Sequence, residues 1–564
     1  MSTQLEILNR IRNNIVGQYA TFETPYGQRP LVYADYTASG RSLRSIEAQI
    51  QRLVLPWYAN THTETSFTGA QTTALREQAR QAIKRALNAG DEDKIIFCGS
   101  GATAAINRLI DIMNLRLPRD LDERYHFSSQ IPESERPVVF VGPYEHHSNE
   151  LPWRESIADV VAIPLDGSGS IDAEALDAAL QRHANRALRI GAFSAASNVT
   201  GIRSDVQGIT RKLKAAGALA FWDYAAAGPY VTNDMNKTDA PIDACFISPH
   251  KFIGGPGTPG ILAVKSSLLK NTVPAVVGGG TVSFVSPDDH RFLADAERRE
   301  EGGTPAIVEA IRAGLVFRLQ EQVGSDEIER LERSKVQQVV RRLAAQPNID
   351  ILGGTDAERL AIFSLRFRHG ETYLHYGFVV ALLNDLFGIQ ARGGCSCAGP
   401  YGHALLDLAP DVSRALDHAV ADGETALRPG WVRLNFNYFI DEAEFDYLLS
   451  ALELVAQFGW RLLPMYALDP RSGLWRHRDT QKAQLPVSLD EIDLLADFEP
   501  DIAVAQPDFQ ALLSEAEALL RADLNPSHLS ASAAERITHG THTHLRWYPV
   551  GGEVLDELAA PVAS

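Results

Sequence analysis

Short apolar runs alternate with longer stretches of helical periodicity through the middle of this chain. The runs are Lys94–Phe97, Val138–Gly142, Ile190–Phe193, Ala218–Trp222 and Ala244–Ile247. Each ends in a loop rich in Gly, Ser, Asn or His. Between them the spacing is helical, most clearly over 70–89, where Leu75, Ala79, Ile83 and Leu87 share one face with charges opposite. A short continuous apolar run suits a strand covered on both faces, and alternation with helices suits parallel pairing. The expected fold class is α/β, with a mainly parallel sheet in the larger domain. Ligands of such sheets sit beyond the carboxyl ends of the strands. The loops that follow the runs are therefore where chemistry is expected.

The flanking segments suggest four parts. Residues 1–30 read as a helix plus a turn at Pro25–Gly27, packing with a small domain. Residues 31–305 form the large domain. Residues 306–460 form the smaller α/β domain, entered through a helical stretch over Ala306–Arg342, with strands near Leu360–Phe367 and Gly430–Asn437. Residues 461–564 form a C-terminal extension. There Pro464, Pro470 and RSGLWRHRDTQ read as a linker, and 507–523 as an amphipathic helix.

Composition removes several function classes. Lys and Arg total 53 against 71 Asp and Glu, a net charge of −18, so a broad nucleic-acid surface is not expected. No apolar run approaches the roughly 18 residues of a membrane span. The start, MSTQLEILNRIRNNIVGQYA, lacks the features of a signal peptide, and the expected location is cytoplasmic. Four cysteines are too few for a disulfide framework at this length.

The loops carry a constellation. Lys251, in DACFISPHKFIGGPGTPG, follows an apolar run and precedes glycines that admit a bulky ligand. A buried lysine beside a histidine suits an amine nucleophile. The order GxxxxGK[ST] is absent, which excludes a Walker phosphate loop. Asp223, in ALAFWDYAAAG, ends another run, and a carboxylate there suits the ring nitrogen of pyridoxal phosphate (PLP). GSGATAAIN, residues 99–107, is a small-residue turn opening a helix, suited to a phosphate, with Thr103 and Ser248 as hydroxyl donors. His146, in PYEHHSN, offers a planar ring to stack on the cofactor.

These segments, with others over roughly residues 30 to 455, resemble the class V aminotransferase family of PLP enzymes, and most closely its cysteine desulfurase and selenocysteine lyase branch. YADYTASG resembles the opening YLDNAA-type motif, NTHTETSFTGAQ the substrate-side segment with its histidine at His62, and EHHSNELPW the EHHxNxxPW motif. SNVTG carries the family asparagine at Asn198, SPHK the Schiff-base lysine at Lys251, and EGGTP the threonine, Thr304, that reaches a neighbouring subunit's cofactor phosphate. QARGGCSCAGPYG resembles the desulfurase motif Arg-x-Gly-x-x-Cys, and counting from Arg392 puts the cysteine at Cys397. Arg433, in GWVRLNFNYF, resembles the arginine that clamps the substrate carboxylate.

The resemblance implies a PLP-dependent transferase fold (fold type I). It implies a cofactor held by Ala102, Thr103, His146, Asn198, Asp223, Ser248, His250, Lys251 and Thr304. His62, Asn198, Arg392 and Arg433 would bind a small amino-acid substrate. Lys251, His146 and Cys397 would be catalytic, with Cys397 as persulfide carrier in releasing alanine from L-cysteine or selenocysteine. A homodimer with shared active sites and a sulfur-acceptor protein are the implied partners. The alternatives are another PLP reaction on the same scaffold (C–S lysis, epimerisation or transamination) or a non-catalytic PLP-binding protein. No GxGxxG follows the first run, which disfavours a nucleotide-dependent oxidoreductase.

Three departures stand out. The family's DxxQ is Asp223–Tyr224–Ala225–Ala226 here, so Ala226 cannot make the glutamine's contact. Cys397 and Arg433 are 433 − 397 = 36 residues apart, a long gap with an insertion around His403–Leu427. The extension contains THGTHTHLRWYP, where His542 and His544 would share a face if extended. No metal is expected there, because no carboxylate or thiol cluster accompanies the histidines.

Overall fold

A computed structural model describes residues 2–61, 63–479, 487–496, 503–522 and 539–560. Two units emerge from the packing of the backbone, and the chain passes back and forth between them. One contains Met1–Ile15, Tyr36–Arg333 and Asp356–Leu360; the other contains Val16–Asp35, Ser334–Thr355 and Ala361–Ser564.

Seven strands form the sheet of the first unit: β1 (Asp93–Cys98), β2 (Val138–Val141), β3 (Asp159–Ala162), β4 (Arg189–Ser194), β5 (Leu219–Asp223), β6 (Ala244–Ile247) and β7 (Gly260–Lys265). Their order is β1-β7-β6-β5-β4-β2-β3. Strands β2 to β6 run parallel, while β7 is antiparallel to both β1 and β6. The sheet is mixed and mainly parallel. All four residues of β2 and of β6 are buried, as strands covered on both faces require.

Helix α1 (Phe67–Ala86) opens on Ser66, whose side chain caps Gly69 N. Helix α2 (Gly101–Ile112) follows β1 and sends Ala105, Ile106, Leu109 and Ile110 into the core. Helix α3 (Ile307–Val323) lies against α1, and Gly314 sits where a Cβ would meet Ala79 at 2.5 Å. That close packing keeps α3 with the first unit, whose long segment runs to Arg333. The stretch read as one helix over 306–342 breaks at Gly324 (φ +87°) into α3 and a second helix, Ser325–Leu343.

In the second unit, β8 (Ile349–Ile351), β9 (Ile362–His369), β10 (Arg392–Gly394) and β11 (Trp431–Asn435) form an antiparallel sheet in the order β8-β9-β11-β10. Helix α4 (Tyr376–Phe387) buries Phe378, Val379, Leu382, Leu383, Leu386 and Phe387. The segment Val32–Tyr33 pairs parallel with Ile389–Gln390, so the early residues 16–35 belong to this unit. The turn expected at Pro25–Gly27 is the bend of a hairpin, Thr21–Thr24 with Gly27–Pro30. The segment read as a linker is largely a second hairpin, Tyr466–Asp469 with Leu474–His477; its last residues, 480–481, lie outside the described residues. The amphipathic helix of the extension runs Phe509–Arg521. No described helix is long and apolar enough to cross a membrane.

Candidate active site

In the first unit, the expected residues converge at the carboxyl ends of β1, β2, β5 and β6. Asp223, the last residue of β5, is buried, and its Oδ1 accepts from Ala225 N at 2.7 Å. Burial pushes its carboxyl above the usual range, while that backbone donor and the positive charge of Lys251 pull it back. Lys251 closes a 3₁₀ turn, Pro249–Lys251, directly after β6. Its neighbour His250 is held down to about 4 by burial and by the Lys251 charge, so its imidazole is neutral near pH 7.

The phosphate side is built on α2. Ser100, at the cap position, makes no side-chain cap, so α2 keeps the anion-seeking character of a helix N-terminus. Ser248 Oγ accepts from Ala102 N at 2.8 Å. Gly101 has φ +57°, and a Cβ there would lie 2.9 Å from Ser248 Oγ and 3.6 Å from His250 Nε2. Thr103 Oγ1 meets Ser148 Oγ at 2.6 Å, and Ser148 in turn bonds His146 Nδ1 through its N–H (3.1 Å) and its hydroxyl (3.0 Å). Ser148, which the sequence reading passed over, thus ties the His146 ring to the start of α2.

Glu145 was also passed over. It is buried beside His146 and accepts from Ser194 N (2.8 Å), Ser194 Oγ (2.6 Å) and Asn149 Nδ2 (2.7 Å). It therefore joins the loop after β2 to the end of β4. The segment after β4 carries Asn198, which is buried, and Ser197 Oγ shapes that turn by accepting from Val199 N and Thr200 N. Burial raises the Glu145 carboxyl to about 7 against its hydrogen bonds. Thr304 stands apart from this cluster, exposed and 3.4 Å from Asn60 Nδ2. His62 lies outside the described residues. Ala226 is buried and offers no side-chain donor, as its residue type requires.

The remaining candidates belong to the second unit. Arg392 and Arg433 are cross-strand partners on β10 and β11. Asp35 bridges them: its Oδ2 accepts from Arg392 Nε at 2.9 Å and its Oδ1 from Arg433 Nη2 at 3.1 Å. Arg433 is buried; that burial lowers its pKa and the Asp35 charge opposes the shift. Asp35 sits inside the quoted YADYTASG segment but was not singled out, because its pairing with two arginines far along the chain is invisible locally.

Cys397 lies just beyond β10, exposed, with φ +55°, next to Ser396 at the same φ. Two consecutive non-glycine residues in the left-handed region are strained. Trp431 Nε1 holds the turn by donating to Ser396 Oγ at 3.2 Å. Cys395 is half-buried. By contrast Cys98 and Cys245 are fully buried in the first unit, and burial pushes both thiols up to about 12.

The histidines of the extension are committed to protein partners, and His542 and His544 lie on a 3₁₀ turn, Gly540–Leu545, and not on the strand considered above. His539 lies between Glu424 and Tyr548, and His542 meets Asp422.

A mainly parallel seven-stranded sheet with a lysine, an aspartate and a helix N-terminus at its carboxyl edge defines an α/β cofactor-binding enzyme fold. Residues 32–448 match the family Aminotransferase class-V, and the chain belongs to that family, which implies PLP dependence. A probable cysteine desulfurase of Streptomyces coelicolor is 26% identical over 429 residues, covering 76% of this chain and 93% of that protein. One from Halalkalibacterium halodurans is 28% identical over 375 residues, covering 66% and 85%. Among solved structures, the apo cysteine desulfurase of Thermococcus onnurineus matches with a TM-score of 0.62 at 22% identity, covering 76% of this chain and 95% of that one. That of Escherichia coli matches at 0.57 and 23%, covering 75% and 94%. These structures share the fold.

The residues present fit pyridoxal phosphate. Gly101 leaves open the space beside Ser248 that a Cβ would fill, at the start of a helix that Ser100 does not cap. Asp223 offers a buried carboxylate with the Lys251 charge nearby.

Proposed function

We propose that this protein is a PLP-dependent cysteine desulfurase-like enzyme that takes sulfur, or selenium, from L-cysteine or selenocysteine and leaves alanine. The observation that carries this reading is Cys397: an exposed thiol on a strained turn, directly beyond the strand of Arg392 and within electrostatic reach of Arg433.

These side chains have separable tasks. Arg433 binds the substrate carboxylate through its planar fork, while Asp35 fixes the guanidinium's orientation. Thr103 and Ser248, at the start of α2 with Ala102, would hold the phosphate, His146 would lie against the ring, and Asp223 would face the ring nitrogen. Bound there, PLP supplies an electron sink for the charge left when the substrate Cα is deprotonated. The Lys251 amine accepts that proton on Nζ. The thiolate of Cys397 then attacks the substrate sulfur: the new S–S bond forms, the carbon–sulfur bond breaks, and its electron pair stays with the carbon skeleton. The carbon that bore the sulfur takes up a proton, Lys251 Nζ returns the other to Cα, and the product leaves as alanine, while Cys397 keeps the sulfur as a persulfide for an acceptor thiol. Relatives that carry the name cysteine desulfurase support the reading.

The homodimer belongs to the same proposal. Thr304 is exposed, as a residue serving a neighbouring subunit would be. Leu53, Leu55, Trp57 and Phe67 are exposed in the same unit, as are Val277, Phe284 and Val285.

The test is release of alanine and sulfide from L-cysteine, with reductant, by PLP-loaded wild type and Cys397→Ser side by side. Activity should fall by about a hundredfold or more in the variant, the scale of losing a covalent nucleophile. Equal activity would move the protein to the C–S lyase, epimerase or aminotransferase reading. That second reading has one observation in its favour, the alanine at position 226.

A further inference from the structure

The insertion between Cys397 and Arg433 and the C-terminal segment are two departures in sequence and one assembly in structure. The insertion folds as Gly399–Leu405, Pro410–Ala421 and a turn at Thr425–Leu427. Residues 539–560 pack on it. Glu424 Oε2 lies 2.6 Å from His539 Nδ1, and the Tyr548 hydroxyl lies 2.8 Å from His539 Nε2. His539 and Tyr548 are both buried, so this relay is satisfied without water. His542 Nε2 meets Asp422 Oδ2 at 3.0 Å, and Leu545 packs against Leu416, Ala419 and Leu427.

From there the packing continues to the substrate-side residues. Trp547 donates through Nε1 to Leu427 O at 3.1 Å. Its ring stacks on His375 (centroids 5.3 Å apart, planes at 16°) and on Tyr376 (6.2 Å, 23°). His375 is a neutral ring: burial holds its pKa near 3, Nε2–H donates to Ala426 O, and Nδ1 accepts from Gly377 N. The Tyr376 ring lies against two glycines. A Cβ at Gly393 would come within 2.7 Å of its ring, and one at Gly430 within 2.8 Å. Gly393 follows Arg392 on β10, and Gly430 immediately precedes β11, which carries Arg433. Cys395, Ser396 and Cys397 come next along the chain.

We infer that residues 539–560 are a brace for the cysteine turn and the arginine strands, with Trp547 as a positioning residue that acts through Tyr376. The inference rests on the reading of Cys397 as the reactive thiol. Trp547 itself touches none of the reacting groups. Its effect passes through the ring stack to the two glycines, where no side chain intervenes.

The experiment uses the full-length PLP-loaded protein and iodoacetamide, with labelled cysteines mapped by mass spectrometry, beside KM and kcat for L-cysteine. In Trp547→Ala, labelling of the half-buried Cys395 should rise by about threefold or more through local opening. KM should rise about tenfold, more than kcat falls, because Arg433 is displaced. Cys98 and Cys245 should stay unlabelled, which reports an intact fold. Trp547→Phe keeps the stack and should restore both readouts. Tyr548→Phe removes a single hydroxyl and should shift Cys395 labelling in the same direction by about twofold; it decides the matter if Trp547→Ala does not fold. Wild-type labelling in both Trp547→Ala and Tyr548→Phe overturns the brace. So does a Trp547→Phe as impaired as the alanine variant. If the wild type fails to turn over cysteine, the desulfurase reading falls, while the labelling still judges the brace.

Discussion

Glu145 shows what a residue can hide from its own sequence context. EHHSNELPW points to His146 because the motif is read for rings and nucleophiles. The role of Glu145 comes from burial and from Ser194, 49 residues further on, which no local pattern displays. Its raised pKa has a consequence for stability. The folded protein keeps the proton up to about 7, whereas the unfolded chain releases it near 4.5. Between those values the folded state binds more protons, so stability falls as pH rises through the window and is flat on either side. We predict that Glu145→Gln removes this decline. Thermal midpoints at about pH 5 and pH 7.5 should differ more in wild type than in the variant, by the equivalent of about 2–3 kcal/mol. Equal differences would place the carboxyl pKa near its ordinary value.

At the scale of elements, the strands that form the parallel core were legible as apolar runs, because burial on both faces leaves a simple pattern. β7 was not read as a strand. It was hidden behind the glycines of GGPGTPG, and its antiparallel place beside β1 follows from a chain reversal that periodicity does not encode. β3 was missed because Asp159 and the half-buried Val160 and Val161 at the sheet edge give a weaker apolar signal. The opening of α2 was legible as a small-residue turn, but its geometry was not. Gly101 has a backbone conformation that L side chains rarely adopt, and its missing Cβ leaves the space beside Ser248. Gly101→Ala should therefore leave the sheet intact and weaken cofactor retention by about tenfold or more, as a close backbone approach is lost. Cofactor absorbance after dialysis against buffer, with circular dichroism as the fold control, checks this. Full retention would move the phosphate away from α2.

For the whole molecule, family membership was legible from motifs spread over some 400 residues, whereas the pairing of distant segments was not. Residues 16–35 join the second unit through the pairing of Val32–Tyr33 with Ile389–Gln390, a contact between distant segments. The packing of the extension was not legible because its partners, Glu424, Leu427 and His375, are scattered in sequence. The exposed apolar residues of the first unit lead to a prediction at this scale. Trp57 and Phe67 meet edge to face at 5.4 Å, and Phe67 and Phe284 are 66% and 64% exposed. Sedimentation should give twice the chain mass for wild type and a monomer for Phe67→Asp combined with Phe284→Asp; a dimer in both would place the interface elsewhere. The pairing of residue 33 with residue 390 also bears on how the protein is made. At a ribosomal rate of about 5–20 residues per second, the 389 − 33 = 356 residues between Tyr33 and the start of its partner strand occupy roughly 20–70 s. During that time Val32–Tyr33 has left the exit tunnel with its edge uncovered and its Asp35 neighbour without either arginine. Folding of the substrate-side unit therefore cannot finish until synthesis has passed Arg433, and the nascent chain must keep that strand soluble until then.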